Sequence, residues 1–122
     1  MLKLALNNKE YIAAKDYYDD GRINIVLVNK LRDEMLNLTV SLPHCLLLTD
    51  VIESDDNNEA SFLNHLDGYN YFDVYSELLD QGIILDVDIG EAKSGFNFYK
   101  GVLFNEEKIQ SMLSIDEMFN TK

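Results

Sequence analysis

The chain has 122 residues, 47% of them hydrophobic, and its 22 Asp and Glu against 10 Lys and Arg give a formal net charge of −12. That length suits one domain able to bury a core without cross-links, and the charge argues against a bare nucleic-acid or anionic-membrane partner, whose phosphates are gripped by Lys and Arg. The charge is also localised: the sixty residues from Asp33 to Ala92 hold fourteen Asp and Glu and no Lys or Arg, so the remainder of the chain carries +2.

A single cysteine, Cys45, excludes an internal disulfide framework and suits a reducing compartment, so the expected location is cytoplasmic. The apolar run from Met1 to Leu6 is cut off by Asn7-Asn8-Lys9-Glu10, too soon for a signal peptide. No stretch approaches the roughly 18 uncharged apolar residues of a membrane helix.

In chain order, a tyrosine-rich strand is predicted from Glu10 to Tyr18, followed by a hairpin turn at Asp19-Asp20-Gly21, where glycine tolerates the positive φ of tight turns. Ile23, Ile25 and Leu27 then fall on one strand face. After a charged loop from Asn29 to Glu34, Leu36, Leu38, Val40 and Leu42 alternate with Asn37, Thr39 and Ser41. That period of two predicts one continuous strand with a buried and a wetter face, closed by Pro43. Cys45 to Leu48 fits either a short buried strand or an apolar loop, since periodicity does not arbitrate so brief a run, and the strand is the preferred reading. Glu53 to Glu59 reads as a solvent loop, and Asn58 is placed to cap a short helix from Glu59 to Leu66 that carries Phe62, Leu63 and Leu66 on one face.

A longer helix is predicted from Tyr71 to Gln81, with the stripe Tyr71, Tyr75, Leu78 and Leu79, and with Gly82 where a left-handed residue often ends a helix. Ile83 to Leu85 resumes an extended chain, Asp86 to Ser94 is an acidic connection containing Gly90, and Phe96 to Phe104 alternates with apolar residues on both sides, as a central strand would. Asn105 before Glu106 and Glu107 is a helix start, with Ile109, Met112 and Leu113 as its apolar face. Ser114-Ile115-Asp116-Glu117 has capping-box spacing and predicts a second helical turn from Ile115 to Phe119. The expected fold is a single α+β domain over residues 1–122, a mainly antiparallel four- to five-stranded sheet with helices packed on one side and a C-terminal helix.

Catalytic signals are weak. Asp86 to Glu91 resembles a calcium loop only in part: Gly90 stands at a ligand position, Glu91 at the glycine position and Asn97 where a bidentate acid belongs. Asp50, Glu53, Asp55 and Asp56 offer oxygens for magnesium, yet the region has no Lys or Arg to hold a phosphate. His44 and Cys45 are adjacent, so an extended chain points them to opposite faces, and Cys45 reads as a small core residue. His65 reads as a surface histidine beside the acidic turn at Asp67. Phosphate-loop, dinucleotide, zinc and nucleophile-elbow patterns are absent from the sequence, so no catalytic residue, metal or cofactor is expected.

Three segments, Tyr18-Asp19-Asp20-Gly21-Arg22-Ile23-Asn24-Ile25, Leu38-Thr39-Val40-Ser41-Leu42-Pro43 and Ser94-Gly95-Phe96-Asn97-Phe98-Tyr99, give the stretch from Tyr17 to Phe104 its character. In them the chain resembles a small family of unknown function encoded by bacterial conjugative elements and phages. Between Cys45 and Asp67 it departs from that pattern, being longer and more acidic. The resemblance implies a genomic setting, in which accessory proteins act by binding other machinery, and it brings no catalytic residues.

The acidic block has two readings. The first is a non-enzymatic protein-binding accessory factor, an anti-defence or regulatory inhibitor whose carboxylates occupy the groove of a basic nucleic-acid-handling protein in the manner of DNA phosphates. Its partner-binding residues would be Asp50, Glu53, Asp55, Asp56, Glu59, Asp67, Tyr69, Asp73, Glu77 and Asp80. Tyr69, Tyr71, Phe72 and Tyr75 lie in the same block and fit equally apolar anchors of an interface or core and rim residues of a helix packed on a sheet. The alternative is a small structural or metal-binding accessory protein whose charge is only solubilising.

Overall fold

The computed structural model describes residues 2–29, 31, 34–47 and 59–120. Strand β1 (Leu2–Leu6) turns back through Asn7 and Asn8 into β2 (Lys9–Tyr17), a pairing in which Leu6 faces Lys9. Both turn residues have positive φ, 48° and 66°, the backbone of the tightest hairpin turns, and asparagine tolerates it best after glycine. β1 is not expected from the sequence, where the segment is only an interrupted apolar run. The Asp19-Asp20-Gly21 turn follows β2 as expected, with Gly21 at φ 88°, and leads into β3 (Ile23–Asn29).

Tyr11, Ala13, Ile23, Ile25 and Leu27 point to one side of this sheet, while Ala14, Val26 and Val28 are buried on the other. The hairpin is therefore buried on both faces, beyond the single face of Ile23, Ile25 and Leu27 read from the sequence. Strand β4 (Glu34–Asn37) adds to β3, giving the order β1-β2-β3-β4. The short β9 (Leu113–Ser114) joins β2 in parallel at Ala14 and Lys15, beyond the end of β1.

The strand expected to run from Leu36 to Leu42 is broken. At Leu38 the chain leaves the first sheet, and β5 (Thr39–Val40) pairs instead with β6 (Ala60–Leu63) in a second sheet, completed by β7 (Glu91–Ser94) and β8 (Asn97–Leu103) in the order β5-β6-β8-β7. Leu38 divides its backbone between the two: its N–H donates to Ile25 O at 2.9 Å, and its carbonyl accepts from Asn64 N at 2.8 Å. The Ile25 N–H thereby loses its ladder acceptor and donates to the Thr39 hydroxyl at 3.1 Å, which itself donates to Asn24 Oδ1 at 3.1 Å. Thr39 is consequently buried, although alternation placed it on the wetter face.

Two further expectations are corrected. Ala60 to Leu63 is strand β6 rather than part of a helix from Glu59 to Leu66, because Ser61, Phe62 and Leu63 are all buried between β5 and β8, a two-sided burial that a surface helix cannot give. Asn58, its proposed cap, lies outside the described residues. Cys45 to Leu47 forms a loop, not a strand. The Arg22 guanidinium, 5.0 Å over the Phe62 ring, donates to the carbonyls of Leu42 (2.9 Å) and Cys45, occupying acceptors that a strand would need. Leu47 is buried with Phe62 and Ile89 against Gly101, where any side chain would collide with it. Leu48 lies outside the described residues.

Helix α1 (Tyr71–Asp80) is capped by Asn70, whose side chain accepts from Phe72 N at 3.0 Å and Asp73 N at 3.2 Å, and Gly82 follows it at φ 71°. Val74, absent from the expected stripe, joins Leu78 at its buried centre. The acidic connection after Leu85 contains strand β7 (Glu91–Ser94), which pairs with β8 (Asn97–Leu103). Asn105 caps α2 (Glu106–Ser111). A reciprocal capping box starts α3 (Ile115–Asn120): Ser114 Oγ accepts from Glu117 N at 3.1 Å, and Ser114 N donates to Glu117 Oε1 at 3.2 Å.

The α+β class holds, with the antiparallel strands shared between two sheets. Residues of α1 and of the second sheet pack against one face of the first sheet, and Met118 and Ile115 of α3 pack against the other. The free edge of β1 is covered by side chains at Ala5 and at the turn that follows. Gln81 donates through Nε2 to Ala5 O (2.8 Å) and accepts from Ala5 N (2.9 Å), while Glu77 accepts from Asn7 N at 3.1 Å. A side-chain amide thus takes the place of a neighbouring strand. Replacing it, Gln81→Ala, removes the two bonds to Ala5 and a third from Nε2 to Glu77 O at 3.0 Å, and is expected to lower stability by about 1–3 kcal/mol at roughly 1 kcal/mol each, measured by urea unfolding with an unchanged m-value.

Candidate functional site

The β7–β8 register sets which side chains face out. Glu91 opposite Lys100 and Lys93 opposite Phe98 share one face, and Ala92 opposite Tyr99 shares the other, where both pack with Phe62 and Ile89. Between the strands is a two-residue turn with Gly95 at φ 62° in its first position, which puts Phe96 at the tip. On the opposite flank of β8, β6 stops at Leu63. Side chains complete the pairing from there. The Tyr71 hydroxyl sits between the two strands, donating to Leu63 O at 2.8 Å and accepting from Lys100 N at 2.7 Å. His65 Nε2 bonds Phe98 O at 2.8 Å, and because a carbonyl can only accept, the ring carries its proton on Nε2.

The His65 ring stacks on Tyr71, centroids 4.1 Å apart and 22° between planes, and meets Tyr99 edge-on at 5.1 Å. His65 and Tyr71, with Phe72, Phe96 and Phe98, line a groove of about 320 Å³ completed by Glu91, Asn97 and Lys100. Phe72 is 68% exposed, Phe98 57% and Phe96 fully exposed. Three phenylalanines open to water around one concavity are unusual for a folded surface, where large apolar patches mark contacts. Lys93 Nζ lies 5.7 Å from the Phe98 ring centre and Lys100 Nζ 5.1 Å from that of Tyr75, so both cations rest on aromatic faces.

Burial pushes the Tyr71 hydroxyl up to about 12, partly offset by the bond from Lys100 N–H. Tyr11 is raised further, first by burial and then by the Tyr69 hydroxyl 2.7 Å away.

Of the acidic residues expected to bind a partner, Asp50, Glu53, Asp55 and Asp56 lie outside the described residues. Asp67, Asp73 and Asp80 are exposed, the last two on the outer side of α1 with Phe72 and Ser76. Glu77 is half-buried on the β1–β2 turn, and Tyr69 packs against the main core beside Tyr11. Glu59 is half-buried beside Lys15 and Tyr17; burial raises its carboxyl, while the Lys15 charge and the Tyr17 hydroxyl oppose the rise. His65 is held by Phe98 and Tyr71, not by Asp67. Asp88 accepts from Gly90 N at 3.1 Å in a local turn. Among the described residues, no three His, Cys, Asp or Glu side chains are placed to hold a metal ion. His44 is exposed, and Cys45 is a half-buried free thiol beside the Phe62 cluster.

The groove is not read from the sequence, because a central strand over Phe96 to Phe104 would bury Phe96 and Phe98. The legible signal was Ser94-Gly95-Phe96-Asn97, a two-residue turn whose tip must project. Comparison with protein-family models, curated proteins and solved structures returns no match.

Tyr71→Phe removes the hydroxyl that joins β6 to β8 and leaves Leu63 O and Lys100 N unbonded, at an expected cost of about 1–3 kcal/mol. Because the folded hydroxyl titrates above the usual 10, its contribution is intact below pH 10 and is lost as pH rises from there to about 12, so wild type and variant should converge over that range in urea unfolding. Glu59 has the opposite consequence at neutral pH. Its raised carboxyl stabilises the fold only below the ordinary carboxylate range and is a cost once ionised. Glu59→Gln should therefore hold or raise the melting temperature at pH 7, and the difference from wild type should vanish below about pH 4.

Proposed function

We propose that this chain is a non-enzymatic binding factor that docks a basic protein, with Phe72, Phe96 and Phe98 as apolar anchors and the exposed carboxylates as the steering charge. The exposure of three phenylalanines around one groove carries this reading. Charge alone contributes mainly to the rate and selectivity of encounter, whereas desolvated aromatic residues dominate the energy of an interface. Asp73 is the immediate neighbour of Phe72 on the outer side of α1, so apolar and acidic elements adjoin. Glu91 and Lys100 line the groove together, which favours a protein surface of mixed polarity over a bare phosphate backbone.

The groove stands on hydrogen-bonded strand backbone and on the His65–Tyr71 stack, a rigid footing that limits the ordering cost of binding. The basic partner is a nucleic-acid-handling protein in this reading, because the sixty-residue stretch without Lys or Arg presents carboxylates where such a protein expects phosphates. A cytoplasmic setting on a mobile element follows from the motif resemblance and the single cysteine. Among the described residues, no helix is long and apolar enough to cross a membrane.

The test is retention of bacterial lysate proteins on the immobilised chain, with Phe72→Ala/Phe98→Ala and Asp73→Asn/Asp80→Asn variants of matched circular dichroism. A basic nucleic-acid-handling protein should be held by wild type and lost by the phenylalanine variant, and should be held more weakly by the aspartate variant, most clearly at low salt. Equal retention by all three chains would remove the groove from the function.

A further inference from the structure

We propose that the outer edge of β7 is a self-complementary surface through which a second copy of this chain pairs antiparallel, continuing the second sheet across a twofold axis. The edge is defined by bonding parity. Gly101 N donates to Gly90 O at 2.8 Å, so residues 90, 92 and 94 direct their backbone groups toward β8. The N–H and C=O of Glu91 and Lys93 therefore point away from it. The same alternation is seen on β8, where Lys100 N and Phe98 O turn to the opposite flank and are taken by Tyr71 and His65. β7 is the last strand of its sheet, and no described residue bonds the outward groups of Glu91 or Lys93. On β1, by contrast, Gln81 takes up the outward N–H and C=O of Ala5.

Charge selects the occupant and the register. Only residues 91 and 93 of β7 present outward backbone groups, so two antiparallel copies can align Glu91 with Glu91, Lys93 with Lys93, or Glu91 with Lys93. The first two oppose like charges directly across the pair. The third places Glu91 of each copy opposite Lys93 of the other, each pair exchanging both of its N–H···O bonds, with Ala92 on the axis. Lysine on an edge normally prevents pairing; here a glutamate two residues away makes it a register marker. Ala92 is buried on its inner side, so no bulky group stands between the two strands. So short an edge gives a small interface, in the class of weak associations. The charge of −12 on each copy opposes contact until salt screens it, within about 8 Å at 0.15 M.

The full chain is examined by sedimentation equilibrium at about 0.15 M salt over concentrations up to about 0.5 mM, a range that reveals weak dimers. Wild type should dimerise. Glu91→Lys alone and Lys93→Glu alone should each weaken the dimer about tenfold or more, and Glu91→Lys/Lys93→Glu together should restore it to within a few-fold of wild type. Lys93→Pro removes an outward N–H that the single copy does not use, and should give a monomer with the circular dichroism of wild type. A wild type that stays monomeric throughout, or a dimer indifferent to the single charge reversals, or one that the double reversal fails to restore, overturns the proposal.

Discussion

Two-sided burial of the β2–β3 hairpin is the constraint from which the rest of this structure follows. Ile23, Ile25 and Leu27 on one face, and Val26 and Val28 on the other, are all removed from water, so each face must be covered by something the chain supplies later. One face receives α1 and the second sheet, the other receives α3. The C-terminal segment reaches its place by adding β9 to β2 immediately before α3 begins, and Lys15 of β2 donates to Ile109 O at the end of α2. Strand pairing and helix docking thus close the second face together.

Building a second sheet from the same chain requires backbone groups to change partners without going unpaired inside a protein, and side chains do this at both ends. At the crossing, Leu38 bonds one sheet with its N–H and the other with its carbonyl, and the Thr39 hydroxyl takes the amide left over. At the far end, Tyr71 and His65 satisfy β8 where β6 has stopped. Buried amides and carbonyls left unbonded cost more than an ordinary hydrogen bond gains, which is why such substitutions occur where ladders end. The second of these places is also where the aromatic groove lies. The polar work of finishing a sheet and the apolar surface offered to a partner share Tyr71, whose hydroxyl serves the first and whose ring stacks with His65 beneath the second.

Features that depend on a few neighbouring residues were legible in the sequence. The Asp19-Asp20-Gly21 turn, the span of α1 up to Gly82, the Asn105 cap and the Ser114–Glu117 capping box each follow from local hydrogen bonding, whereas the Asn70 cap was not read. What could not be read was long-range. The Leu36 to Leu42 alternation is uninterrupted in sequence, and its division between two sheets depends on Ile25 and Asn64, far away along the chain. Phe62 and Leu63 suit a helix face by spacing alone, and only pairing with β8 makes them a strand. Glu59 and Glu77 belong to the acidic block by composition, yet one is half-buried beside Tyr17 and the other holds a turn. The groove was hidden for the same reason, since His65, Phe72 and Phe98 come from three elements that meet only in the fold.

Residue-resolved amide hydrogen exchange tests this account most directly, because it ranks each hydrogen bond by the opening that exposes it. If the doubly buried hairpin is the foundation, the amides of Val26 and Leu27 exchange only through global unfolding, with a free energy equal to that from denaturant unfolding, while Lys100, held by a side-chain hydroxyl, exchanges through smaller openings. Exchange of Val26 and Leu27 as fast as Lys100 would mean that β3 opens independently of the layers covering it, and would contradict the account.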